Sequence, residues 1–374
     1  MEIVQIVPKL PPTVSGVGDY ALLLARQLGD ANNILTRFVL CDTSCERAPD
    51  LDHFTVQSVH KQQRKNLIRQ LSTTGCPGTV LLHYVGYGYQ KRGVPFWLLH
   101  GLKSWKRNNH KGVLIVMFHE LYASGPPWSS SFWTSPLQQR LTKSLALLAD
   151  HCVTNLANSV ELLLRMTHCP ETKFSLLPVF SNVGEMSRRT NLATRKPRMI
   201  VFGSAAWRRQ TYIEHRDALE RACRVLEISE IVDIGPPCGD IPKSSRPCMV
   251  RGSLPAEQVG QEMTDARAGF FTYPAAYLGK SGIFAAYAAY GLVPITYSEN
   301  IADNKDALRP MEHFLPMSFT YRSDLDQIET ISHKAHNWYQ AHSIKKQAAC
   351  YGKLIRVLAL QRECRNRLVR AHVS

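Results

Sequence analysis

Four short stretches of this chain of 374 residues carry residue types that do chemistry at spacings that matter. Gly16-Val17-Gly18 lies behind the apolar run EIVQIV and ahead of the helical pattern DYALLLARQLGD. Bare backbone at a helix start can bring N–H groups against an anion. Gly279-Lys280-Ser281-Gly282 stands in the same way before GIFAAYAAYG, and its N–H groups, hydroxyl and ammonium form a candidate phosphate cradle. Arg208 and Arg209 follow the strand-like RMIVFGS, and a guanidinium there can take two phosphate oxygens at once. His83 in LLHYVG and His119-Glu120 in VMFHELYA each end an apolar run, the position at which ligand-facing residues of a parallel sheet collect. His119 and Glu120 are the candidate catalytic pair, able to bond a hydroxyl and to offset positive charge at a reacting carbon. Each stretch also has a structural explanation: a tight glycine loop, a helix cap, a solvated basic turn, and histidines bonded inside the sheet.

Several familiar sites are excluded by spacing. Position 123 is Ala123, so His119-Glu120 is not a zincin motif, and no Gly-x-Ser-x-Gly elbow occurs. Pro274 stands where a P-loop needs its first glycine. Cys41 and Cys45 are the closest cysteine pair, and no Cys-x-x-Cys occurs among the ten, so neither a metal nor a disulfide scaffold is expected. Gly16-x-Gly18-x-x-Ala21 does fit the dinucleotide fingerprint, with Asp42 near the ribose-binding position. Eight residues, PKLPPTVS, separate the strand from the first glycine, whereas that fingerprint turns straight off its strand. An NAD(P)-dependent oxidoreductase therefore stays a minor alternative.

The charge is lopsided, with 45 Lys and Arg against 30 acids, a formal net of +15. Residues 345–374 hold eight Lys or Arg and one Glu; YQKRGVPFWLLHGLKSWKRNNHKG holds six and no acid. Such excess attracts something anionic. In the second block Phe96, Trp97, Trp105, Lys103, Lys106 and Arg107 have the makings of a helix lying on anionic lipid, or of an ordinary helix with a wet basic face. No signature of a DNA- or RNA-binding module occurs, so nucleic acid is not an expected partner. No secretory leader and no membrane-length apolar run are visible, which makes the cytosol the expected compartment, with peripheral contact to an anionic membrane.

Positioning these residues requires strands and helices in alternation, and the chain supplies them twice. EIVQIV, LTRFVLCD, TVLLHYVG, GVLIVMFHE, HCVTNL and KFSLLPVF read as strands, with helices between. The stretch 185–198 is polar and basic without apolar period and reads as a linker. RMIVFGS, EIVDIG, CMVRG, AGFFTYP and LVPITY then restart the pattern. The fold class is therefore α/β: two Rossmann-like, doubly wound domains, over 1–184 and 199–344, with a basic helix at 345–374.

A long proline-bearing loop, Gly-x-Gly and an amphipathic helix together resemble the N-terminal domain of GT-B glycosyltransferases, especially the family-4-like (group 1) enzymes. RGSLPAEQVGQEMTDARAGFFTYP and YLGKSGIFAAYAAYGLVPI resemble that family's donor-binding segments, with Gly203, Gly291 and Pro294 in matching places. The chain departs from the family at Ser204, in place of an arginine, and at Leu278 and Ala286, in place of both motif glutamates. The resemblance implies two domains facing across a cleft and retaining transfer of a sugar from a nucleotide-sugar to a polysaccharide, glycolipid or other glycoconjugate. It assigns Gly16, Gly18, Arg208, Arg209, Lys280 and Ser281 to the donor. Asp19 and His83 fall to the acceptor or sugar, and the C-terminal helix crosses back to the first domain. Neither cofactor nor metal is expected, because cations already meet the diphosphate. Loss of the two acids leaves open a degenerate binding protein on the same scaffold.

Overall fold

Strands buried on both faces are apolar without alternation, and this chain has two sheets built of them. The computed structural model describes residues 1–42, 48–51, 53–73, 77–239, 244–297, 306–319 and 324–371, with backbone alone from 365 onward. Cys45 and the side chains of Arg365, Arg367 and Arg370 thus lie outside the described residues. The chain divides into two compact units, Met1–Pro178 with Ile344–Ser374, and Val179–Ser343.

In the first unit the order is β1 (Glu2–Val7), α1 (Gly16–Asn32), β2 (Leu35–Leu40), β3 (Thr55–Ser58), α2 (Arg64–Ser72), β4 (Thr79–Tyr84), α3 (Gly86–Tyr89) and α4 (Phe96–Asn108). Then come β5 (Val113–Phe118), α5 (Ser130–Leu148), β6 (His151–Thr154), α6 (Ala157–Thr167) and β7 (Phe174–Leu176). The strands form one parallel sheet in the order β3-β2-β1-β4-β5-β6-β7, with Gln5 opposite Leu81 and His83 opposite Met117. Sequence order reverses between β1 and β4, and such a switch point is where α/β sheets bind ligands, at their carboxyl ends. Ser15 caps α1 by accepting from Gly18 N, and Asn33 ends it in the left-handed conformation, φ 56°.

The second unit holds β8 (Lys196–Phe202), α7 (Ala205–Ile213), α8 (Arg216–Val225), β9 (Glu230–Ile234), β10 (Cys248–Gly252), α9 (Ala256–Asp265) and β11 (Ala266–Pro274). A 3-10 turn (Ala275–Lys280), α10 (Gly282–Ala289), β12 (Val293–Tyr297), β13 (Leu315–Pro316) and α11 (Leu325–Gln340) follow. Its parallel sheet runs β10-β9-β8-β11-β12-β13, and the order reverses between β8 and β11. Helix α10 is apolar all round, and Phe284 to Ala289 are buried, as a central helix requires. Helix α12 (Ile344–Ala371) belongs with the first unit, where Tyr20 Oη donates to Gln347 Oε1 at 2.6 Å.

Two expectations need correction. The polar segment 185–198 is folded onto the second unit. Arg189 pairs with Glu329, and Arg195 donates to Ala266 O (3.1 Å) and Tyr290 O (2.9 Å). Its order comes from charge pairs and carbonyls, which leave no apolar period to detect. Helix α4 does not turn an aromatic face outward. Trp105 is 2% exposed in the core with Leu98 and Leu102; Phe96 and Trp97 pack against the same cluster. Lys106 is held by Leu148 O and by Asp150 at 2.8 Å, so only Lys103 and Arg107 of that basic group lie exposed. Among the described residues no helix is long and apolar enough to cross a membrane, and the described cysteines are free thiols.

Candidate functional site

The residues singled out from the sequence divide between the units. Gly16, Gly18, Asp19, His83, His119 and Glu120 lie in the first, and Arg208, Arg209, Lys280 and Ser281 in the second.

At the switch point of the first unit, the chain leaves β1 through residues 8–15 and enters α1 at Gly16. A Cβ on Gly18 would stand 2.5 Å from Lys9 O, so this glycine lets the first turn of α1 lie against the loop before it. That close approach is to the chain's own backbone, the structural alternative for the glycine loop. Asp19, half-buried in the first turn, has its carboxyl pushed above the usual range by burial.

The two histidines do not stand as independent ligands. His83 is fully buried inside β4, so it touches no sugar, and the expected role in acceptor or sugar contact is corrected. Its Nε2 bonds Gln5 Oε1 at 2.7 Å, and its Nδ1 faces His119 Nε2 at 3.1 Å. Gln5 Nε2 in turn donates to Thr36 Oγ1 at 3.4 Å. Because Gln5 Oε1 only accepts, His83 carries its proton on Nε2. His83 Nδ1 must then accept from His119 Nε2, which leaves His119 Nδ1 as a lone-pair acceptor with no further partner among the described residues. Tyr20 packs edge-on against both rings, with centroids 5.8 and 5.2 Å away. Burial drives the His119 pKa down to about 3, and burial together with its neighbour depresses His83 further below its ordinary value. His119 is therefore a neutral ring, 8% exposed, fixed in one tautomer; Glu120 beside it is exposed.

In the second unit the residues singled out from the sequence follow the carboxyl ends of β8 and β11. Gly203 follows β8 at φ +139°, and a Cβ there would meet Ile283 Cδ1 at 2.7 Å, so the strand end sits against the first turn of α10. Ser281, 4% exposed, caps α10 by accepting from Phe284 N at 3.2 Å. That hydroxyl is occupied by its own helix, whereas the preceding Lys280 is half-exposed with Nζ 5.0 Å from the Tyr277 ring centroid. Ser204 caps α7, whose Trp207 is 37% exposed and edge-on to Tyr273 of β11 at 5.5 Å.

The Arg208 expectation is overturned. Its guanidinium is 1% exposed and ion-paired with the fully buried Asp233 at 2.8 Å, with a second bond to Pro236 O. Tyr212 Oη donates to the same carboxylate at 2.9 Å. Arg208 clamps β9 to α7 and has no fork to offer a ligand. Arg209, the next residue, is exposed. Leu278 and Ala286 are 1% and 0% exposed, so both are spent in the core of the second unit.

Sequence reasoning missed Gln5, Tyr20, Trp207, Tyr273 and Tyr277. Gln5 had a signal: an amide in the middle of a strand buried on both faces demands a partner. The aromatics had none, because aromatic residues near strand ends are ordinarily core.

No protein-family profile matches the sequence, and no characterised protein matches it in sequence either. Solved structures do match. An alpha-glucosyltransferase in complex with UDP-glucose and DNA aligns over 96% of this chain and 98% of its own, with TM-score 0.59 and 11% identity. The E. coli trehalose-6-phosphate protein bound with UDP-2-fluoro glucose aligns over 96% and 99%, with TM-score 0.59 and 11% identity. A UDP-N-acetylglucosamine 2-epimerase aligns over 91% and 94%, with TM-score 0.53 and 10% identity. At such identities the likeness is one of fold: this chain has the two parallel-sheet α/β domains of the GT-B class.

Proposed function

We propose that the chain is a glycosyltransferase moving a sugar from a nucleotide-sugar donor to a polysaccharide, glycolipid or other glycoconjugate acceptor. The observation that carries the reading is the switch point of the second sheet. There Gly203 lies against the first turn of α10, Lys280 stands over the Tyr277 ring, and Trp207 meets Tyr273 of β11. A helix terminus and a cation suit a diphosphate, and aromatic faces suit a base or a sugar. Two of the compared structures were solved with UDP-sugars, and the third is named for its UDP-sugar substrate, which supports the reading.

The barrier in such a transfer lies in parting an oxocarbenium-like sugar from its diphosphate. Lys280, exposed Arg209 and the α10 N-terminus would meet the charge that develops on the leaving group, each fixed donor contributing about 3 kcal/mol in a dry site. With that charge met, the reaction needs no metal. In the first unit the neutral His119 keeps a lone pair able to accept from a hydroxyl, and Glu120 follows it in sequence. Attack from the face the diphosphate leaves gives retention. One compared structure holds DNA; for this chain a glycan or lipid-linked acceptor is proposed, as it lacks the signature of a nucleic-acid module.

Apolar Leu278 and Ala286 favour one second reading, a protein that binds nucleotide-sugars without turnover. Thermal shift with UDP, GDP, ADP, their sugars and NAD, on the wild type and on Lys280→Ala, tests both. Ligand at about one hundred times Kd stabilises by about 2.7 kcal/mol. A shift with one diphosphate that weakens in the variant, with diphosphate released from its sugar in EDTA, is the expected result. A shift without release selects the binder, and a shift with NAD alone refutes both.

A further inference from the structure

Helices α2 and α4 pack closely enough to bring their cations together. A Cβ on Gly101 of α4 would stand 2.6 Å from Leu67 Cδ2 of α2, so this glycine lets the two helices seat against each other. The same helices line a cavity of about 660 Å³. Arg64 of α2 contributes to it, with His100, Lys103, Lys106 and Arg107 of α4 and His110 just beyond. Ser104 and Leu148 complete the lining, which contains no carboxylate. Two of these side chains are held from within α4. The His100 ring stacks on Phe96, with centroids 6.1 Å apart, and Arg107 Nη2 donates to Ser104 Oγ at 3.4 Å. Lys106 is spent on Leu148 O and Asp150. Arg64, Lys103 and Arg107 are exposed, and among the described residues no carboxylate pairs with any of them. Cations gathered in this way repel one another, and a cleft lined by one sign of charge concentrates counter-ions.

We infer that this cavity binds a linear oligophosphate of small-molecule size. Its volume is that of a small-ligand site. The guanidiniums of Arg64 and Arg107 can each take two phosphate oxygens, and Lys103 adds a point charge. Ring N–H groups of His100 and His110 serve the oxygens that remain. A strand of nucleic acid calls for cations along a track, and a bilayer for apolar side chains turned outward, whereas α4 packs its aromatics into the core. The lining belongs to the first unit and Lys280 to the second, so the inference does not rest on sugar transfer.

The test is calorimetric titration of the full chain with tripolyphosphate, ATP and orthophosphate, in about 0.15 M salt to screen diffuse attraction. Tripolyphosphate is expected to bind once per chain, about tenfold or more tighter than orthophosphate. ATP, the nucleotide source of the same chemistry, should bind within about threefold of it, because the phosphates carry the contacts. Arg64→Gln with Arg107→Gln should cut affinity about a hundredfold. Arg64→Lys with Arg107→Lys keeps the charge but loses the fork, and should cut it about tenfold. Both arginines are exposed, so thermal melts of these variants should match wild type. Lys61→Ser with Lys65→Ser, which line a separate cavity beside α2, should change affinity by no more than about twofold. Lys280→Ala should leave it unchanged. Absence of binding, or an equal loss in the Lys61 and Lys65 variant, would overturn the inference. So would a loss confined to Lys280→Ala, which places the anion at α10. Tighter binding of a single-stranded oligonucleotide or of phosphatidylglycerol vesicles than of tripolyphosphate would overturn it too.

Discussion

At the scale of single residues, Gln5 decides more than its position suggests. It is the one buried polar side chain in EIVQIV, and its carbonyl orders the protons on two histidines in series. His83 orders the proton of His119, and His119 is the ring left with a lone pair. Imidazole nitrogen shifts in a 15N spectrum should show Nε2–H on both rings, with no protonation of His119 down to about pH 4, above the value burial imposes on it. Gln5→Leu should scramble that pattern and cost about 1–3 kcal/mol, because a buried donor loses its acceptor. Nδ1–H on both rings would mean that Gln5 donates, and His119 would then be a donor to its ligand. Arg208 teaches the opposite lesson. A guanidinium at a strand end looks like a phosphate contact, yet a buried aspartate on the next strand claims it, and nothing in the local sequence pairs Arg208 with Asp233.

At the scale of elements, the strands were legible because a parallel sheet covered on both faces needs continuous apolar runs, and VLIVMF is buried along its whole length. The long helices α1, α5 and α9 were legible from their period. Short or polar elements were not: β3 has four residues, and YIEHRDALERACRVLE, which reads as one helix, is interrupted at Glu214-His215 between α7 and α8. Glycines were legible as special positions but not in their purpose. Gly18 is explained by the seating of α1, since Lys9 O occupies the space a methyl would need. Gly18→Ala should therefore lower the melting temperature, at a cost of about 1–3 kcal/mol. If the melt holds and only ligand binding falls, Gly18 serves the ligand and the packing account fails.

At the scale of the whole molecule, buried neutral histidines tie stability to pH. Burial lowers His119 to about 3, and His151 and His342 to about 4, with Lys173 adding to the shift at His151. In the unfolded chain each takes a proton near pH 6.5, whereas the folded chain refuses it until its own lower value. Stability is therefore complete above about pH 6.5 and falls as pH drops toward about 4, by about 1.4 kcal/mol per unit for each histidine. Melting temperatures across that window should decline steeply with acid, and a flat profile would mean that these rings are already solvated. The same contrast separates what each level of description decides. Period, apolar runs and turn residues determined by themselves that the chain is α/β, wound twice, with glycine-led helices at the ends of its strands. Those signals are local, each read over a turn or a strand. Tertiary structure alone decided which polar groups are spent inside the protein and which remain for a ligand. Arg208 was consumed by Asp233, His83 by Gln5 and Trp105 by the core, while Trp128 and Trp133 were left in water. The physical reason is that a charge or ring is disposed of by partners distant in sequence, and only folding brings those partners within bonding distance.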